Sequence, residues 1–73
     1  MMKYYKVESS HWKNILEFKS KIPLTEGQCF RIKSHDGSNF YPTRFKVREV
    51  SDTPKYPGTL VEILEVDTEV ESF

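Results

Sequence analysis

The sequence predicts a single α+β domain in the order β-α-β-β-β, with one amphipathic helix packed on a small curled antiparallel sheet. Three observations point there. β-Favouring residues alternate with lysine from Lys3 to Val7, apolar residues recur at helical spacing from Trp12 to Ile22, and Asp36-Gly37 sits between two alternating runs. Seventy-three residues leave room for one domain, residues 1–73, and hardly a second. A domain of this size has roughly 3 to 5 kcal/mol of net stability unless a staple or a partner adds to it. Homo-oligomerisation is therefore one expected route to stability.

The elements follow in chain order. Tyr and Val alternating with Lys make Lys3 to Val7 a short half-buried strand. Ser9 and Ser10 are suited to cap the open amides of a helix beginning near His11. Trp12, Ile15, Leu16, Lys19 and Ile22 then share a helical face with Phe18 beside them, while Lys13, Asn14, Glu17 and Lys21 lie largely opposite. Pro23 limits the helix, because the residue before a proline disfavours helical geometry. Thr25, Glu26 and Gly27 read as a turn, and Gln28 to Lys33 as a strand that turns Phe30 and Ile32 inward.

Asp36-Gly37 suits the positive φ angles of a tight hairpin. With those residues at the turn centre, Ile32 lies opposite Tyr41 and Phe30 opposite Thr43, and Phe45 and Val47 continue the buried face. Pro42 lacks an amide hydrogen and marks an edge, a bulge or a break. Pro54, Pro57 and Gly58 punctuate a loop from Ser51 to Thr59. Leu60 to Val66 is the most apolar strand, expected to run antiparallel to Phe45 to Val50 and to bring Glu62 across from the basic residues. Residues 67–73 are acidic and expected to fray. The predicted core is Trp12, Ile15, Phe30, Ile32, Phe45, Val47, Leu60 and Ile63. An SH3-like or an OB-like barrel would each close such a sheet.

Eleven basic and eleven acidic residues cancel, but their placement is lopsided. Residues 1–48 carry ten Lys/Arg and four Asp/Glu, and residues 49–73 carry seven acids against Lys55 alone, a swing from six positive to six negative charges. Segregation of this kind is an interaction signal. Cys29 is the only cysteine, so no intramolecular disulfide forms, and a reducing, cytoplasmic setting is expected. No apolar run has the length of a signal-peptide core or a membrane span.

Catalytic and metal chemistry find little footing. His11, Cys29 and His35 are far apart and lack the close pairing of a zinc site, so no metal or cofactor is expected. His35 beside Asp36 belongs to turn chemistry. The serines sit in capping and turn positions, and Glu62, Glu65, Asp67, Glu69 and Glu71 read as a solvated acidic run. A small enzyme or enzyme subunit is thus the third reading, since so small a core hardly supports a deep pocket.

Two surfaces suggest binding. Phe40, Arg44, Lys46 and Arg48, joined by Arg31 and Lys33 across the hairpin, mix rings with cations as single-stranded nucleic-acid binders do. Cross-strand ion pairs account for the same pattern without a ligand. Lys55, Tyr56 and Pro57 form a stiff aromatic-tipped loop, and loops of that kind carry recognition. With Glu69 and Glu71 of the acidic segment, they are the candidate contacts for a protein. The first reading is accordingly a small non-enzymatic binding module, a regulator or inhibitor of a larger protein. Viruses and mobile elements encode compact proteins of this type. Nucleic-acid binding through Arg31, Lys33, Phe40, Arg44, Lys46 and Arg48 is the alternative, and a membrane partner is not expected.

Overall fold

The computed structural model describes residues 2–11, 13, 15–33, 39–56 and 61–71. These residues form strands and loops, with no helix among them: β1 Lys3–Ser9, β2 Leu16–Ser20, β3 Cys29–Ile32, β4 Phe45–Ser51, β5 Val61–Ile63 and β6 Val66–Asp67. The six strands make one sheet in the order β5-β2-β1-β4-β3-β6. Residues 61–67 straddle both of its ends, β5 lying parallel to β2 and β6 antiparallel to β3. The sheet is thereby nearly closed and barrel-like, and the expected α+β architecture is overturned.

The predicted helix fails for a physical reason. Leu16, Phe18 and Ser20 also alternate at the period of a strand, and β1 offers that strand a register in which Tyr5 faces Phe18 and Val7 faces Leu16. Tyr5 and Val7 are almost wholly buried. Their antiparallel partner therefore gains more than a lone helix would from helical spacing, which is only a weak preference. The two serines expected to cap the helix instead shape the β1–β2 connection. Ser9 Oγ accepts from the His11 amide at 3.0 Å, and Ser10 Oγ accepts from the Arg44 amide at 2.9 Å, which ties β1 to the start of β4.

The core consists of Tyr5, Val7, Phe18, Leu24, Phe30, Phe45, Val47 and Ile63, with Leu16, Ile32 and Val66 packed against it. Phe45 is its hinge point. Its ring meets Phe18 edge-on at 5.1 Å and stacks on Phe30 at 5.6 Å. Ile15, expected inside, is 51% exposed, because in a strand it falls outside the inward alternation. Trp12 and Leu60, also expected in the core, lie outside the described residues. Two buried hydroxyls tie the segment after β2 and the β2–β5 pair into the core. Tyr5 donates to the Ile22 carbonyl and accepts from the Leu24 amide, both at 3.2 Å, while Ser20 donates to the Ile63 carbonyl at 3.3 Å.

The turn at Thr25, Glu26 and Gly27 is present: the Gln28 amide donates to the Thr25 carbonyl at 3.1 Å, and Gly27 takes φ 88°, a conformation glycine adopts without steric cost. The expected hairpin register holds at one end only. Lys33 bridges Phe40, and the Tyr41 amide donates to the Ile32 carbonyl at 2.9 Å. Farther along, Phe30 pairs with Phe45 rather than Thr43. The register has shifted by two residues around Pro42, where the missing amide interrupts the ladder. An even shift preserves the pleat, so Phe45 and Val47 still face inward. The Asp36-Gly37 turn itself lies outside the described residues.

The last segment departs most from expectation. It does not run antiparallel to β4: Glu62 pairs with Lys19 of β2, and Asp67, assigned by sequence to the fraying tail, pairs with Arg31 of β3. No helix among the described residues is long and apolar enough to cross a membrane.

Candidate functional site

Two outer surfaces gather the residues singled out by sequence. The first is built on β1, β2 and β4, where inward Tyr5 and Val7 turn Lys6 outward between Glu17 of β2 and Glu49 of β4. Residues 52–56 fold back over this row. The Lys55 amide donates to Glu17 Oε2 at 3.0 Å, and the Tyr56 amide donates to Oε1 at 3.4 Å. Covered in this way, the Glu17 side chain is only 7% exposed. The Lys55 ammonium bonds Glu49, the Lys6 ammonium lies 5.7 Å from the Tyr56 ring centre, and Lys3 pairs with Asp52 at the start of the loop. The hydrogen bond from Lys55 holds the Glu49 carboxyl below its ordinary range, and Glu49 raises Lys55 in return.

Lys55 and Tyr56 are thus both exposed and anchored, Tyr56 at 43%. Pro57 lies outside the described residues. Sequence reasoning missed Glu17, which a helix reading places among solvated side chains. A glutamate between Leu16 and Phe18 becomes informative only once the segment is a strand and a loop is known to cover its outer face.

The second surface lies at β3. Lys33 and Arg31 flank the Phe40 ring, the ammonium 5.5 Å and the guanidinium 5.8 Å from its centre. Each cation also holds an acid of residues 65–67. Arg31 reaches Asp67 Oδ2 through Nη2 at 2.5 Å and Nε at 3.2 Å, and Lys33 reaches Glu65 at 2.8 Å. The Arg31 hydrogen bond, followed by one from the Glu69 amide, holds the Asp67 carboxyl below its ordinary range.

The other expected basic residues are distributed rather than pooled. Arg48 is the extra residue where the β1–β4 register slips, and it pairs with Glu8 at 3.0 Å. Lys46 stands in register with Glu8 on one side and Cys29 on the other. Arg44 joins the connection after β1 through its backbone. Among the described residues, the acids paired with Arg31, Lys33 and Arg48 are Asp67, Glu65 and Glu8, and not Glu62 as the sequence suggested. Glu69 and Glu71 are exposed beyond β6.

Cys29, which alternation allowed to face outward, is buried. His11 lies next to the Ser10 hydroxyl at 3.2 Å, and His35 lies outside the described residues. Among the described residues no group of three or more His, Cys, Asp or Glu side chains is placed to hold a metal ion. Comparison of the chain with protein-family models, with curated proteins and with solved structures finds no significant match in any of the three.

Proposed function

We propose that this chain is a small non-enzymatic binding module that regulates or inhibits a larger protein in the cytoplasm, with Lys55 and Tyr56 as its principal contact. One observation carries the reading: both carboxylate oxygens of a nearly buried Glu17 are committed to the backbone amides of Lys55 and Tyr56. Removing a carboxylate from water costs several kcal/mol unless hydrogen bonds offset it. Here that cost fixes the backbone beneath an exposed tyrosine. A contact already held in its bound shape loses little conformational freedom on docking, and tyrosine is among the residues most enriched at the energetic centre of interfaces.

The nucleic-acid alternative draws less support from the same geometry. Arg31, Lys33 and Arg48 are each engaged by a carboxylate, so phosphate binding at those residues would have to displace an acid already in place.

The test is capture of partners from the native host with mass spectrometry, repeated with nuclease. Tyr56→Ala should lose the principal partner, with affinity reduced roughly thirtyfold or more, and the protein should remain folded. Glu17→Ala should weaken the same interaction. A partner retained undiminished by folded Tyr56→Ala, or one lost on nuclease treatment, would sink the reading.

A further inference from the structure

We propose that β3 is also a docking edge for a second copy of this chain, taken up by exchange of the acidic strand at residues 65–67. The ligand that fits this edge is already seen on it. Antiparallel pairing sets Asp67 opposite Arg31 and Val66 opposite Ile32, and the Lys33–Glu65 ion pair continues the same register. An acid-valine-acid triplet therefore meets an arginine-isoleucine-lysine triplet, its acids on the cations that flank Phe40 and its valine packed against the core.

Three features favour exchange over a permanent seat. The strand is short, its ladder comprising two residue pairs, and it is secured at its side chains by ion pairs that stay accessible to water. The link to β5 is Leu64-Glu65, and Leu64 is 75% exposed. Straightening the chain there would merge β5 and β6 into one strand, leaving β5 on its own β2 and carrying β6 to another molecule. Finally, the triplet recurs at once in the sequence as Glu69-Val70-Glu71, outside the strands. A repeated pattern specifies its pairing register weakly, and weak register favours exchange between chains. Swapping an identical element regenerates every contact of the closed form, so it is a low-cost route to a symmetric dimer. The division of the chain into a positive and a negative part supplies attraction between copies.

Charge exchange tests this directly. One variant carries Arg31→Glu and Lys33→Glu, another carries Glu65→Lys and Asp67→Lys, and a third carries all four substitutions. In the first two the strand is mismatched with its own β3, but each matches the other variant. The two, refolded together at equimolar ratio, should sediment as a one-to-one heterodimer at low salt. Neither should do so alone, and the dimer should weaken on adding salt. The four-substitution protein shows whether the reversed pairs fold within one chain. Wild type should show a concentration-dependent dimer under the same conditions. If the four-substitution protein folds, the mixture yields no heterodimer and wild type stays monomeric up to millimolar concentration, the strand is a fixed part of the monomer and the proposal fails. Because Lys55 and Tyr56 are unchanged throughout, that failure would leave the proposed loop contact untouched.

Discussion

Two segments complete this sheet in different ways, one as a loop across its outer face and the other as an edge strand. Residues 52–56 are anchored by a nearly buried carboxylate that grips backbone amides. Residues 65–67 are held by a ladder of two residue pairs on β3 and, at their side chains, by ion pairs still accessible to water. Every residue except proline has a backbone N–H, so the Glu17 anchor at Lys55 and Tyr56 fixes where the chain goes largely independently of the side chains those residues show outward. A surface ion pair is specific in charge but weak and screened by salt. The first arrangement suits rigid presentation, whereas the second suits a segment that can be replaced by another with the same charges.

The severest way to break this contrast is to remove the sheet that both segments share. Phe45 touches Phe18 of β2 and Phe30 of β3, linking the strand beneath the loop to the strand beside the acidic segment. Phe45→Ala should cost about 3–5 kcal/mol, comparable with the whole stability of so small a domain. Urea denaturation should show loss of the cooperative transition. A cooperatively folded variant with an unchanged midpoint would mean that the two surfaces do not depend on a common core.

A smaller perturbation separates them. Glu17→Ala leaves two amides of the loop without their acceptor, a loss of about 1–3 kcal/mol where the group stays buried. Hydrogen exchange should speed up at Lys55 and Tyr56 while the amides joining β3 to β6 keep their protection. Equal acceleration at both places would show that Glu17 supports the fold generally and does not specifically hold the loop.

How much of this was legible in the sequence varies from residue to residue. Period-two alternation identified the inward face of Phe30, Phe45 and Val47, and it survived a wrong register because the shift around Pro42 was even. Alternation was equally present in Leu16, Phe18 and Ser20, but the helical spacing of Ile15, Lys19 and Ile22 competed with it. What decided between them was Tyr5 and Val7 in need of a partner strand, a nonlocal requirement that a local window does not contain. The basic residues were legible as a set, and the ion-paired reading of Arg31 and Lys33 matches their geometry. The acids that pair with them were not, since the bend at Leu64-Glu65 carries β6 to the opposite end of the sheet from β5. Glu17 was invisible because its role depends on a loop more than thirty residues away.

The gentlest way to sharpen the contrast is titration, because the two segments carry different pairs of ionisable groups. Asp67 is held below its ordinary range chiefly by Arg31, and Glu49 is held low chiefly by Lys55. A carboxyl whose folded pKa lies below its unfolded value contributes stability that is fully present above the ordinary carboxylate range, about pH 4. That contribution is lost as pH falls through the range toward the folded value. Acid therefore weakens both segments. Alkali acts on the loop through Lys55, which Glu49 raises. Its contribution is fully present below the ordinary lysine value and is lost as pH rises through the folded one. Carboxyl-carbon NMR should give an Asp67 midpoint below about 3.9, the ordinary aspartate value. In Arg31→Gln that midpoint should move up while that of Glu49 stays in place. An Asp67 midpoint indifferent to Arg31, or a Glu49 midpoint that moves with it, would mean that the acidic segment is not held by the pair seen at β3 and that the two surfaces are electrostatically one.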